Sequence, residues 1–388
     1  MPSENNKLTY FFSQPHQPFF TLGVFNAILA MLLFLLSYKG VVVFETTPNL
    51  FHAYSLIFIV FTAFFQGFLL TTFPRFSQMP PLAQNIYTTN FTLLVAGTLL
   101  FYIGVLLNIW VMLAGMVLLL GNQLFSFYAF WQIYKASPSP DKYDQFWILS
   151  AFGSGIVAHF LLIVSAAMGV MVLEELAKQA ALYLYLVFVA FSVGQRMIPF
   201  FSHVMIAKNK KTLKQSFVLF SVGILTNLFF PPFGAFIFLA AGVLIGKEVY
   251  RWKLPFKEAD PILWILHLAI FWLPVGLVLG SVGEIAGWAF EKEVLFLGLH
   301  LVAIGFVTTV LIGFGTRVTL GHSGNMMVTD NKTKMLFYMT QAVVYMRALY
   351  ALTGTSFLFD ITVLLWLVLF GGWAVKYMPA LAFGKRIT

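Results

Sequence analysis

The sequence predicts an all-α polytopic membrane bundle of twelve transmembrane helices, and three observations carry that expectation. Hydrophobic residues make up 60% of the 388 positions and charged residues 10%, where a soluble protein carries about 25% charged. Mean hydropathy is +0.88, so the chain has too little charge to face water all round, and soluble enzymes, secreted modules and disordered proteins are excluded as classes. Finally, when apolar windows of about 20 residues are marked off, the Lys and Arg between them segregate. With the N-terminus inside, nineteen of the 23 Lys and Arg fall on the inner side. Only Lys39, Lys178 and Lys292 fall outside, and Arg347 lies within a span. An error of one helix would mix the two sets, so the asymmetry supports both the count and an N-in, C-in orientation.

The spans lie near 18–37, 49–73, 90–108, 110–134, 146–170, 179–200, 215–231, 233–250, 261–280, 293–317, 333–354 and 357–378. The first follows a polar stretch without a small-residue cleavage site, so it reads as a span and not as a cleaved signal peptide. Thr47 and Pro48 form an N-cap and first-turn pair that opens the second. No charge separates the third span from the fourth, the seventh from the eighth, or the eleventh from the twelfth. Turns at Asn108 to Trp110, Pro231 to Phe233 and Thr353 to Phe357 divide them, because each undivided run is too long for one crossing. Acidic connections, Glu174-Glu175 and Glu291-Lys292-Glu293, mark the outer side after the fifth and ninth spans. The longest loops follow the sixth, eighth and tenth spans and are inner. None has room for a soluble domain, so residues 1–388 read as a single transmembrane domain. Gly242-x-x-x-Gly246, Gly276-x-x-x-Gly280 and Gly283-x-x-x-Gly287 provide for close helix approach.

There are no cysteines, which removes disulfides, covalent haem attachment, thiolate copper sites and Cys-ligated iron-sulfur clusters. A metal must be held by His, Met, Tyr, carboxylate or backbone. The formal charge of +9 is a matter of orientation and not of nucleic-acid binding, and the Lys208 to Lys214 cluster reads as an orientation signal in contact with lipid phosphate.

An ionisable side chain within a span is costly and marks a functional candidate. Five qualify: His52, His159, His267, His300 and Arg347. Counted along their spans, His52, His300 and Arg347 share a layer near the outer side, whereas His159 is central and His267 lies towards the inner end. For each histidine the alternative is a neutral imidazole that only satisfies a neighbouring carbonyl or hydroxyl. His16, His203 and His322 belong to the inner surface, where solvent can satisfy them. Two imidazoles at one depth with an arginine beside them suit a non-covalent haem, with His52 and His300 as axial ligands and Arg347 on a propionate. The competing partner for Arg347 is Asp360, across the turn at Gly354. The second and tenth spans also carry low-spin haem ligands in the catalytic subunit of haem-copper oxidases, which the chain distantly resembles in architecture. It lacks the paired histidines and the His-x-His of that enzyme's copper centre. Met326 and Met327 beside His322 are candidate soft ligands, with plain interfacial packing as the alternative. Arg196, Arg317 and His322 are expected to form a polar inner-face cluster, structural or holding a second cofactor.

Several segments together resemble the NnrS family of haem- and copper-containing membrane proteins of the bacterial nitric-oxide response. They are Gln17-Pro-Phe-Phe, Phe51-His52 followed by Gly67-Phe-Leu-Leu-Thr71 and Pro74, Arg196-Met-Ile-Pro-Phe-Phe201, and His300-Leu-Val-Ala-Ile-Gly305 running on to Thr316-Arg317-Val-Thr-Leu-Gly-His322-Ser-Gly324. Arg347 fits the family's arginine in the penultimate helix. Family members usually read Trp-His-x-His-Glu-Met at the second span; here the stretch is Phe51-His52-Ala53-Tyr54-Ser55-Leu56. The second histidine and the acid are absent, which leaves haem b alone, or copper held with Tyr54 or elsewhere. The resemblance implies a multi-pass protein of the bacterial inner membrane that binds or reduces nitric oxide, or protects against nitrosative stress in denitrification, with a quinol or other redox donor as partner. Two other functions compete: a secondary transporter of a small anionic solute or metal, and a non-enzymatic haem or metal assembly factor for a reductase. No half-to-half repeat of the transporter kind is visible.

Overall fold

A computed structural model describes residues 9–292 and 294–387; Lys7 and Glu293, counted above among the loop charges, fall outside them. Among the described residues there is no strand, and twelve long helices follow one another: α1 His16–Tyr38, α2 Pro48–Phe76, α3 Gln84–Leu107, α4 Ile109–Ala136, α5 Tyr143–Met168, α6 Met171–Phe201, α7 Lys210–Phe229, α8 Pro231–Arg251, α9 Pro261–Ala289, α10 Leu297–His322, α11 Asn331–Thr353 and α12 Ser356–Phe383. All except α11 are long and apolar enough to cross a membrane. At 23 residues α11 is equally long, but Lys332, Lys334, Gln341 and Arg347 make it more polar.

The caps expected from sequence form. Thr47 accepts a hydrogen bond from the Leu50 amide at 3.1 Å with Pro48 in the first turn of α2. Asn108 turns α3 into α4, its side-chain oxygen accepting from Trp110 N at 2.8 Å. Gly354 closes α11 in the left-handed conformation, φ 66°. Two starts differ from expectation. Helix α6 begins at Met171 rather than 179, because Lys178 pairs with Glu174 at 3.0 Å and Glu175 at 3.3 Å along one face, which keeps a polar stretch helical. Helix α10 begins at Leu297 rather than 293, because Phe296 is left-handed (φ 55°) and no helix continues through it.

Three helices share a build that the sequence does not display. Helix α2 loosens to π-helical bonding over Ser55–Phe61, α6 over Ala181–Val187 and α10 over Leu301–Thr308. Threonine hydroxyls donate to carbonyls five residues back at two of these stretches: Thr62 to Ile57 at 2.8 Å, Thr308 to Ala303 at 3.0 Å and Thr309 to Ile304 at 3.1 Å. Each helix then ends on the same cap. Ser77, Ser202 and Ser323 are followed by left-handed Gln78, His203 and Gly324. The next amide bonds back to Pro74, Pro199 or Leu320 at 2.8, 2.9 and 3.1 Å, the 6→1 bond of a Schellman motif. The three helices stand four apart along the chain, a recurrence by thirds and not by halves.

The chain packs as two compact units, one of residues 1–181, 318–326 and 370–388 and the other of residues 182–317 and 327–369. The interior of the first is crossed by a buried polar network: Gln66 Nε2 donates to Asn122 Oδ1 (2.6 Å), Asn122 Nδ2 to Asn90 Oδ1 (2.7 Å) and Asn90 Nδ2 to Ser126 Oγ (2.6 Å). The second is drawn together by glycine. A Cβ on Gly280 would collide with the Gly298 backbone, so α9 and the start of α10 touch main chain to main chain.

Candidate functional site

His52 lies one turn into α2, about 6 Å along it, in the last α-helical turn before the π stretch. Its ring is half-buried and stacks on Phe34 of α1 with centroids 4.2 Å apart. His300 also lies in the last turn before a π stretch, in α10, directly before Leu301 where His52 is three residues ahead of Ser55. Because that helix starts at Leu297, the ring stands about 5 Å from its outer end rather than the roughly 10 Å expected from sequence. Its Nδ1 lies 2.9 Å from the Phe296 carbonyl. A carbonyl only accepts, so Nδ1 carries the proton and a neutral ring keeps its lone pair on Nε2. Metal-bound histidines are commonly oriented by such a backbone bond. In α6 the same station reads Lys178-Gln179-Ala180, without an imidazole.

Arg347 sits about 9 Å from the outer end of α11 and is 8% exposed. One terminal nitrogen donates to the Leu295 carbonyl at 3.1 Å, and the guanidinium lies 5.1 Å from the Tyr350 ring centre. The Leu295 amide in turn bonds to Ala351 O at 3.1 Å, clipping residues 294–296 to the end of α11. The other terminal nitrogen, Nη1, is buried with no partner among the described residues. Asp360, the expected alternative, does not pair with it: its partners are the Leu295 carbonyl and the Tyr350 ring, both uncharged. The arginine thus keeps an unused N–H pair for an anion.

The other two span histidines have structural partners. Nε2 of His159 is 2.7 Å from the Tyr54 hydroxyl and its Nδ1 is 2.7 Å from Gln123 Oε1, with the ring stacked on Phe58 at 4.0 Å. Tyr54, a candidate for a metal near His52, is thus hydrogen-bonded into the interior between α2 and α5. His267 Nε2 lies 2.6 Å from Ser202 Oγ. At the C-terminal ends of α6 and α10, the Arg317 guanidinium lies over the Phe201 ring at 4.0 Å, bringing α10 against α6. Arg196 is half-buried one turn before Phe201. Met326 and Met327 are exposed.

His322 is not with solvent alone. Its Nδ1 donates to Val318 O at 3.0 Å, and its ring centre is 4.6 Å from that of His16, which is 1% exposed. Sequence reasoning left His16 on the wet inner surface. Its ring packs beside those of Phe20 and His322, with centroids 6.0 and 4.6 Å away, and just before α1 the Tyr10 hydroxyl donates to Ala380 O at 3.1 Å. No run of residues around His16 signals that. Among the described residues no three of His, Asp and Glu gather as a metal cluster.

No curated protein matches the chain. The family model described as NnrS protein matches residues 10–383, which takes in His16, His52, His300, His322 and Arg347 alike. With nearly all of its length matched, the chain belongs to the NnrS family.

Proposed function

We propose that the chain is a haem b protein of the bacterial cytoplasmic membrane acting in the nitric-oxide response, with His52 and His300 as imidazole ligands and Arg347 as the anchor of a haem propionate. The observation that carries the reading is the repeated helix: two of the three π-containing helices place an imidazole in the last α turn before the loosened stretch. Short π-helical segments recur at functional sites. Each donor has the chemistry that the group takes. His300 has its tautomer fixed by Phe296 O, and Arg347 has buried N–H groups of the planar geometry that matches a carboxylate. Bound haem would supply an iron that takes nitric oxide as a ligand. The chain's own residues would orient the imidazoles, cover the His52 ring with Phe34, and offset the propionate charge.

A repeat of three four-helix stretches is not the two-half build expected of a secondary transporter, so the haem reading is favoured. The proposal places both termini in the cytoplasm and takes a quinol or another membrane redox donor as the source of electrons. An absorption spectrum of the purified chain tests it. A stoichiometric Soret band that shifts when nitric oxide is added to the reduced protein is expected; a folded protein without haem would reject it.

A further inference from the structure

Tyr54 and His159 are both fully buried and meet inside the first unit, with Tyr54 two residues beyond His52 on α2. An ionisable side chain in a span is costly, and here two are held against each other. The amide at one end sets the order of the protons. Gln123 Oε1 lies 2.7 Å from His159 Nδ1 and can only accept, so Nδ1 carries the proton of the neutral ring and Nε2 keeps its lone pair. The Tyr54 hydroxyl, 2.7 Å from Nε2, therefore donates to it. Other tyrosines are placed differently. Tyr10 and Tyr87 donate to the carbonyls of Ala380 and Phe12, which do not take up a proton, and the hydroxyl of Tyr102 is buried with no partner among the described residues. Tyr54 instead faces a base, at a distance across which a proton is handed over. His267 is paired in a similar way, but with the Ser202 hydroxyl, an alcohol that is not readily oxidised.

We infer that Tyr54 and His159 form a proton-coupled redox pair: a one-electron oxidant takes an electron from the phenol while the phenolic proton moves to His159 Nε2. The O–H bond of Tyr54 breaks, an N–H bond forms on the imidazole, and the products are a neutral tyrosyl radical and an imidazolium. Without the base the phenol would be left as a strongly acidic radical cation in an apolar interior, which is far costlier. The surroundings suit both products. Gln123 Oε1 goes on accepting from Nδ1, and Phe58, stacked on His159 with centroids 4.0 Å apart, presents the face that attracts a cation. Phe101 stacks on Tyr54 at 4.5 Å, and burial keeps the radical from coupling with another. Position selects the oxidant. Tyr54 lies about 9 Å inside α2, where the membrane turns away a charged oxidant and admits a small uncharged radical. Nitrogen dioxide, formed from nitric oxide and oxygen, is of that class; on accepting the electron it leaves as nitrite. The pair itself requires no haem, and only this choice of oxidant rests on the nitric-oxide reading.

The test is pulse radiolysis of the purified full chain in detergent, with nitrogen dioxide generated in the solution and frozen samples read by electron paramagnetic resonance. A photogenerated ruthenium(III) complex serves as a second oxidant. Wild type is expected to give a persistent neutral tyrosyl signal with both oxidants, lost in Tyr54→Phe and retained in Tyr102→Phe. His159→Leu should slow formation of that radical about 100-fold or more, the lower end of what a positioned base supplies, and the wild-type rate should fall in heavy water. No persistent radical in wild type with either oxidant overturns the inference, as does the same radical in Tyr54→Phe or oxidation of His159→Leu at the wild-type rate. A radical formed with ruthenium(III) and not with nitrogen dioxide supports the pair and overturns the choice of oxidant. Should His159→Leu fail to fold, the wild-type radical decides: an exchangeable hydrogen bonded to its oxygen, seen as a deuteron coupling in heavy water, supports transfer to the imidazole, and its absence overturns it. Haem content is measured on the same samples, and the radical is expected with or without haem, so failure of the haem assignment and failure of the pair are distinguishable.

Discussion

A guanidinium within a membrane span costs about 2.5–3.5 kcal/mol on insertion scales, and among the described residues Arg347 meets a carbonyl and an aromatic ring in return. That imbalance makes it the most informative single residue of the haem proposal. Arg347→Lys keeps the charge and removes the planar fork, so haem retention should fall roughly tenfold, the equivalent of about 1.5 kcal/mol for one charge-assisted hydrogen bond. The expected sign is haem loss from a protein that still elutes as a folded species; undiminished haem in that variant would remove the propionate role. His52, His300 and Arg347 were legible because an ionisable residue stands out in an apolar run. His16 was not, since it borders a polar stretch and its partner lies at the far end of the chain. Nor did sequence foretell that His159 would meet Tyr54, a contact that exists only once α2 and α5 lie side by side.

Helix boundaries followed their chemistry wherever a cap or a breaker was present, as at Thr47-Pro48, Asn108 and Gly354. They were missed where backbone conformation ran against residue type, as with left-handed Phe296, or where an ion-paired polar turn stayed helical, as at Glu174 to Lys178. The π stretches could not be read at all, because Ser-Leu-Ile, Ala-Leu-Tyr and Leu-Val-Ala at their starts share no pattern. Two element-scale expectations follow from the repeated build. The left-handed caps Gln78 and His203 hold a conformation that glycine adopts freely, so Gln78→Gly and His203→Gly should each stabilise the chain by about 1 kcal/mol, seen as a higher thermal midpoint in detergent. An unchanged or lower midpoint in both would contradict the caps described. Conversely, Gly280→Ala places a methyl group against the Gly298 backbone; a loss of about 1–3 kcal/mol is expected from forcing α9 and α10 apart, and a neutral effect would mean that the two helices do not touch there.

At the scale of the whole chain, composition alone gave the class, and the distribution of Lys and Arg gives an expected orientation, N-in and C-in; the threefold recurrence of α2, α6 and α10 emerged only from backbone geometry. The absence of cysteine makes the orientation directly measurable. A single Cys at Val43, 84% exposed between α1 and α2, should react with an impermeant maleimide in intact cells, whereas one at Met205, fully exposed between α6 and α7, should react only after lysis. The reverse pattern would invert the chain. The recurrence also concentrates the functional claim on two residues, since the station before the π stretch carries histidine in α2 and α10 alone. Haem content per chain in His52→Ala and His300→Ala, measured on protein shown to be folded, tests that claim most directly. Loss of haem, or conversion to a spectrum with one imidazole ligand, is the result predicted for each variant; full haem content with an unchanged spectrum in both would contradict it.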